Sequence, residues 1–302
     1  MKVVVIVNRG GGSADGAEAR IRDAFEGTGV EPDVRLVEPG ELERHCAEYV
    51  ASEGAAALVA AGGDGTIGTA AAAVADTDVA LGVLPMGTLN HFARDAGIPL
   101  DLKAAAAAVA AGRTRQVDAA EVNGRLFVNN SAVGLYPVLV REREAQQRRL
   151  GRSKRAAMLV AAARGLWRFS SWRLTVRVAG LKAPVETPLL FVGNNRYEMS
   201  LLGLGRRSAI DRGELCLYAP LARSRLGFVW LSLRAVLGRP ERQRDFLTLE
   251  GVEEAEIGSR REMLTVAVDG EACPMKTPLK YRIRKGALKL ILPVEDGEGD
   301  PA

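Results

Sequence analysis

The chain has 302 residues, of which 47% are hydrophobic and 26% charged, a globular mix that excludes a wholly disordered chain and suits one large domain or two ordinary ones. No apolar run reaches the roughly 18–20 residues needed to cross a bilayer. Val3–Val7 is too short for a signal-peptide core, and three scattered cysteines (Cys46, Cys216, Cys273) make neither a disulfide framework nor a zinc motif. Lysine plus arginine number 41 against 37 acids, a net of +4, so the average surface is not that of a nucleic-acid-binding protein. The expectation is a cytoplasmic protein of a reducing compartment.

Taken in order, the first third alternates as a parallel α/β sheet does. Lys2–Val7 predicts a strand, Ala14–Phe25 an amphipathic helix, Pro32–Val37 a strand and Glu41–Glu53 a helix. Ala56–Ala61 predicts a buried strand, Ile67–Val74 a helix, Val79–Leu84 a strand, and Leu102–Ala111 an alanine-rich helix closed by Gly112. From Val117 the pattern changes. Ala119–Val122, Asn123-Gly124 and Arg125–Asn129 carry a hairpin signal. Further strands are expected at Arg173–Val178, Thr187–Val192, Glu214–Tyr218, Leu264–Val268, Leu279–Arg284 and Leu288–Leu292, with helices over 138–169 and 226–237. The fold class is therefore an α/β nucleotide-binding domain (1–117), a mostly-β sandwich domain with an inserted basic helix (118–295), and a disordered tail (296–302).

The inserted segment is strongly basic. Residues 141–155 hold seven lysines and arginines against Glu142 and Glu144, with Leu166-Trp167-Arg168-Phe169 following. Two readings stand: a solvated helix face leading into a packed helix, or a basic and aromatic patch in peripheral contact with an anionic membrane, the inner membrane face.

Three glycine-bearing loops follow the apolar strands. Gly62-Gly63-Asp64-Gly65-Thr66 sits between a buried strand and a helix, where bare backbone N–H groups and the helix N-terminus favour phosphate oxygens. Asp64 there can orient the loop or hold a magnesium-bound phosphate, and Thr66 can cap the helix or bond a phosphate. It is neither a Walker A loop nor the G-x-G-x-x-G of a dinucleotide fold. Pro85-Met86-Gly87-Thr88-Leu89-Asn90 repeats the arrangement one βα unit later, and Asn8 with Gly10, Gly11 and Gly12 follows the first strand. All three belong at the carboxyl edge of the sheet, where open α/β folds bind ligands. Asp269-Gly270-Glu271 reads by itself as an ordinary hairpin turn.

Gly-Gly-Asp-Gly-Thr followed by Pro85–Ala93 (Pro-x-Gly-Thr-x-Asn-x-Phe-Ala) resembles the diacylglycerol kinase catalytic-domain family, which includes bacterial lipid kinases, sphingosine kinases and ceramide kinases. The resemblance continues through Asn129–Gly134, Phe191–Asn195, Asp211–Leu215 and Val268–Glu271. It implies a two-domain architecture also found in NAD kinase, with ATP and Mg²⁺ on the first domain's loops and a lipid head group entering between the domains. It implies ATP contacts from Asn8, Gly10–Gly12, Gly62–Thr66, Gly87, Thr88 and Asn90, and a catalytic Asp269-Gly270-Glu271 with one carboxylate as general base. Three positions depart from the family pattern. Ile67-Gly68-Thr69 stands where x-Asn-Glu is common, Asn8-Arg9-Gly10-Gly11-Gly12-Ser13 where Asn-Pro-x-Ser/Ala-Gly is usual, and Arg212 where an acid precedes Gly213. Asp211 is then a weak substitute as a metal ligand, beside Asp64 through Mg-ATP.

Among the remaining polar residues, His45 is expected to be exposed, His91 to touch ligand, cap or pack, and Arg206 and Arg207 to attract an anionic head group. The function implied is an ATP-dependent kinase for a hydroxyl of a diacylglycerol-like or sphingoid lipid. The alternatives are a catalytically weak lipid- or nucleotide-binding regulator, or NAD kinase, whose companion Asn-Thr-Gly-x-Leu-Gly-Phe loop is missing from the sequence.

Overall fold

A computed structural model describes residues 2–10, 16–134, 172–200, 203–207, 209–221, 227 and 246–294. The basic helix expected over 138–169, that over 226–237 apart from Gly227, and the tail 296–302 lie outside the described residues. In chain order the elements are β1 (Lys2–Asn8), α1 (Ala17–Phe25), β2 (Glu31–Val37), α2 (Leu42–Val50), β3 (Ala57–Gly62), α3 (Asp64–Val74), β4 (Ala80–Pro85), α4 (His91–Asp95) and α5 (Leu102–Ala111). There follow β5 (Thr114–Val122), β6 (Arg125–Phe127), β7 (Asn130–Gly134), β8 (Trp172–Val178), β9 (Leu181–Thr187), β10 (Leu189–Asn194), β11 (Tyr197–Ser200), β12 (Gly203–Arg207) and β13 (Leu215–Pro220). The last are β14 (Phe246–Val252), β15 (Glu254–Ser259), β16 (Met263–Val268), β17 (Glu271–Lys276) and β18 (Leu279–Ile291).

The chain forms two compact units. One holds the chain up to Ala119, Ala209–Asp211 and the chain from Lys285; the other holds Ala120–Ser208 and Arg212–Arg284. The sequence places the boundary at 117/118; in the structure two later stretches also group with the first unit.

The first unit is built on a parallel sheet in the order β2-β1-β3-β4, with the end of β18 joining β4 in parallel at Leu290 opposite Leu81. β3 and β4 are buried almost without a break, as strands covered on both faces must be. Gly82 is packed tightly: a Cβ there would stand 2.9 Å from Val59 Cγ2 and 3.3 Å from Val109 Cγ2, so α5 lies close against the sheet. α5 forms because five consecutive alanines propagate readily. The Asp101 carboxylate accepts the Ala104 N–H at 2.9 Å at its start, and Gly112 in the left-handed region (φ 67) ends it.

In the second unit a six-stranded antiparallel sheet, β14-β13-β10-β7-β16-β17, packs against an antiparallel sheet of β18, β15, β8 and β9 with the β5–β6 hairpin. Leu190, Val192, Leu215, Leu217 and Val266 of the one meet Leu174, Val176, Ile257, Leu279 and Tyr281 of the other in a single apolar core, which makes this unit a β-sandwich.

Several strands lie outside the sequence reading, and their residues explain why. β9 carries Pro184 and β17 carries Pro274, and both are edge strands, where a missing N–H is tolerated. The two strands expected at Leu279–Arg284 and Leu288–Leu292 are one strand, β18. Its burial alternates from Leu279 to Arg284 and becomes near-continuous after Ala287, and the change falls at Gly286 (φ 58). α4 is a five-residue helix too short to show periodicity.

Replacing Asp101 with alanine removes the only described side-chain cap on α5. Urea unfolding is expected to lose about 1 kcal/mol with an unchanged m-value.

Candidate active site

The first unit's loops are fixed to one another by backbone contact. Gly63 caps α3, and Asp64, Gly65 and Thr66 form its first turn rather than a loop preceding it. A Cβ on Gly87 would stand 2.5 Å from the Gly63 Cα, so the turns after β3 and β4 touch glycine on glycine, and no other residue fits at Gly87. A Cβ on Gly62 would meet Thr66 Oγ1 at 2.6 Å, because the buried Thr66 side chain lies over it. Thr66 therefore packs inward, and only its backbone N–H is placed to serve a ligand.

Two side chains lock this arrangement. Asn90, buried and left-handed at φ 50, accepts the Gly87 N–H through Oδ1 and donates Nδ2 to the Gly87 carbonyl, each at 3.0 Å. The Asp64 carboxylate accepts the Phe92 N–H at 3.0 Å and the His91 N–H at 3.2 Å, which caps α4 from the neighbouring loop. Of the two roles open to Asp64, the geometry uses it to orient the loops. The departure at Ile67-Gly68-Thr69 also has a local account: Ile67 is buried, and the Thr69 hydroxyl donates to the Gly65 carbonyl at 3.1 Å within the helix.

What this leaves for a ligand is backbone. The first amides of α3 have no acceptor within their own helix and no side chain caps them, so they present partial positive charge at the carboxyl edge of the sheet. Thr88 and Leu89 are exposed beside them. At the end of β1, Asn8 Oδ1 accepts the Gly10 N–H at 2.9 Å, and Gly10 packs against Pro39, whose Cγ would be 2.5 Å from an added Cβ. Gly11 and Gly12 lie outside the described residues.

The metal candidates have partners within the protein. Asp211 pairs with Arg115 at 3.7 Å, and the Arg212 N–H donates to Asn195 Oδ1 at 2.9 Å. Among the described residues, no cluster of three histidine, cysteine, aspartate or glutamate side chains is spaced to hold a metal ion.

In the second unit Asp269-Gly270 is a two-residue hairpin turn between β16 and β17, Val268 pairing with Glu271 and both turn residues at positive φ (46 and 85). The half-buried Asp269 carboxylate accepts three consecutive backbone N–H groups: Asn129 at 2.8 Å and Asn130 at 3.0 Å on Oδ1, and Val128 at 2.8 Å on Oδ2. Burial pushes its pKa up to about 6, opposed by the three amides and by the charge of Arg207. A carboxylate offers about four acceptor positions, so one remains, on Oδ2. Glu271 is different: exposed, and ion-paired with Arg125 at 2.7 Å.

Behind the 128–130 segment lies a polar cluster whose separate roles the sequence does not indicate. Asn194 donates to the Val128 carbonyl at 2.9 Å, Tyr197 OH donates to the Asn129 carbonyl at 3.0 Å, and Asn195 Nδ2 donates to Asn194 Oδ1 at 3.2 Å. Arg207, only 5% exposed, turns inward to the Val128 carbonyl and Asn129 Oδ1. It does not face solvent to meet a head group. The signal that marks these residues is polarity in apolar strands: Asn129, Asn194 and Asn195 interrupt runs that are otherwise core.

Comparison with known proteins gives a consistent result. The diacylglycerol kinase catalytic domain matches residues 2–122. A probable lipid kinase, YegS-like, from Pseudomonas aeruginosa is 33% identical over 97% of this chain and 94% of its own length. The diacylglycerol kinase of Bacillus subtilis is 37% identical over 38% of this chain and 39% of its own. A crystal structure of a putative diacylglycerol kinase from Bacillus anthracis superposes with a TM-score of 0.73 at 22% identity, covering 96% of this chain and 97% of that one, a likeness of fold. The full-length likeness at one-third identity decides the matter: the chain belongs to the diacylglycerol kinase catalytic-domain family and is a kinase of the lipid-kinase kind.

Proposed function

We propose that the protein transfers the γ-phosphoryl group of ATP to a hydroxyl of a diacylglycerol-like or sphingoid lipid. The observation that carries the reading is the glycine-on-glycine contact that sets two amide-bearing turns side by side, with no side chain capping α3. In this reading the amides of Asp64, Gly65 and Thr66, with Gly87, Thr88 and Asn90 from the second turn and the Asn8–Gly12 loop, take the nucleotide phosphates. Family membership supplies the kinase class; a lipid acceptor is supported by the relatives' names, lipid kinase and diacylglycerol kinase.

Asp269 is assigned as the general base. The lipid hydroxyl oxygen attacks the γ-phosphorus, the bond to the β,γ-bridging oxygen breaks and ADP leaves, and the hydroxyl proton passes to Asp269 Oδ2, which holds the open acceptor position. A carboxylate that titrates near 6 is a stronger base than an ordinary one and is still mostly ionised at pH 7. Glu271 is proposed to shape the turn through Arg125 rather than to accept the proton.

Magnesium is proposed only as the counter-ion that ATP carries on its own phosphates. Asp64 accepts two amides of α4, Asp211 is paired with Arg115, and among the described residues neither belongs to a cluster of three side chains that could hold a metal, so no step is assigned to one. The substrate class implies work at a membrane. Among the described residues, no helix is long and apolar enough to span one. The basic stretch 141–155 is proposed to make peripheral contact with anionic lipid.

The test of the reading is transfer of γ-³²P from ATP to mixed-micelle diacylglycerol, sphingosine and ceramide, with NAD as a soluble acceptor. Label in a lipid supports it; label in NAD alone, or in none, sinks it. Within that assay Gly87→Ala is expected to weaken ATP binding, measured by calorimetry, at least about tenfold, since the loops must separate. Asp269→Asn is expected to lower kcat at least about 100-fold. It should also cost about 1–3 kcal/mol of stability, because an amide nitrogen cannot accept the Val128 N–H; Glu271→Gln should stay within roughly threefold of wild type. The pH dependence has a definite sign. kcat/KM should fall roughly tenfold per unit below about pH 6 as Asp269 takes up its proton. Because that pKa is raised above its ordinary 3.8, the group's contribution to stability is present below about pH 4 and lost as pH rises through 6.

A further inference from the structure

The strand ends opposite the Asp269-Gly270 turn gather cations. Arg260 and Arg261 lie in the connection from β15 to β16, Lys276 ends β17 and Lys280 stands near the start of β18, all four exposed. Backbone bonds tie these segments together. The Thr277 N–H donates to the Glu262 carbonyl at 2.9 Å and its hydroxyl to the Arg261 carbonyl at 2.7 Å. Asn123 donates to the Lys276 carbonyl at 2.9 Å and accepts the Lys280 N–H at 2.8 Å. Other arginines of this unit are answered by carboxylates: Arg125 by Glu271, Arg177 by Glu256, Arg282 and Arg284 by Glu121. These four cations have no ion-pair partner among the described residues, and Glu262 is the one acid in segments 260–263 and 276–280.

Apolar surface accompanies the charge. Met263, directly across the strands from Lys276, is 46% exposed, and the Arg261 guanidinium lies over the Trp172 ring at 4.4 Å. In the sequence, Trp172 stands three residues after Phe169, which ends the basic and aromatic stretch. An exposed thioether ringed by cations suits the interface of an anionic bilayer, where the charges meet phosphate headgroups and the apolar side chain enters between them. A nucleic acid would use the cations alone and leave Met263 in water. We propose that this end of the second unit docks on an anionic lipid surface, with Arg260, Arg261, Lys276 and Lys280 against the headgroups and Met263 inserted among them. The proposal rests on the reading of the protein as a lipid kinase, and names a surface that holds the enzyme where its substrate is. β16 and β17 are six residues long, which sets the patch roughly 17 Å from the Asp269-Gly270 turn. Docking and chemistry are therefore separable by mutation.

The test is co-sedimentation of the full chain with phosphatidylcholine vesicles, with and without about 30% phosphatidylglycerol. Wild type is expected to bind the anionic vesicles and to lose at least about tenfold in affinity between about 0.05 M and about 0.5 M salt. Arg260→Ala combined with Lys276→Ala removes two exposed charges and leaves the Trp172 contact alone; it should weaken binding about 30-fold. Met263→Ala should weaken it about fivefold. Both variants should keep the wild-type kcat on a short-chain diacylglycerol in neutral detergent micelles, while their apparent KM for vesicle-borne diacylglycerol rises by the same factors. Unchanged vesicle binding in the double variant overturns the proposal, and so does equal binding of the wild type to neutral vesicles. A double variant that turns from dimer to monomer with vesicle binding intact assigns the patch to a second copy and also overturns it. If vesicle binding follows the expected pattern and no lipid accepts label, the kinase reading fails and the docking surface stands.

Discussion

Two glycine backbones in contact set the geometry of the carboxyl edge of the first unit's sheet. Gly63 and Gly87 approach so closely that a single methyl group on the latter would drive the turns apart, and everything at that edge follows from holding them there. Asn90 closes its own turn by bonding both polar groups of Gly87, and Asp64 reaches across to cap α4, so each loop is tied to the other as well as to its strand. Side chains that resemble ligands are spent on this scaffold. In the proposed reading the binding groups are main-chain amides, whose positions depend on the contact and not on rotamers.

The second unit solves a different problem, how to keep a carboxylate charged while taking it out of water. Desolvation alone drives the Asp269 proton affinity up; three amides and an inward-turned arginine pull it back, and the balance rests near neutrality with a net rise. A carboxylate held by fewer donors would be a stronger base but less ionised. One held by a fourth donor would have no lone pair to offer. The hairpin turn supplies the placement, since a left-handed residue followed by glycine brings the side chain back over the 128–130 segment.

How much of this was legible in the residues varies with the range of the forces involved. Local signals served well: the alanine run and Gly112 bound α5 to the residue, and continuous apolar runs marked β3 and β4. The glycine motifs marked the carboxyl edge of the sheet, and Asp269-Gly270 was legible as a turn. Long-range bonds were not. Nothing near Asp64 announces that its partners are the amides of His91 and Phe92, and nothing near Arg207 points to a carbonyl 79 residues earlier. Edge strands that carry proline, such as β9 and β17, read as loops because only their place in the sheet makes them tolerable.

In the proposed reading the paired turns bind the nucleotide through backbone amides. The most direct measurement is amide ¹H–¹⁵N chemical-shift mapping of the full chain on titration with Mg-ATP. The largest shifts are expected at Asp64, Gly65, Thr66, Gly87 and Thr88, saturating together with one dissociation constant. Shifts confined to other parts of the chain, with these amides unmoved at saturation, would contradict it.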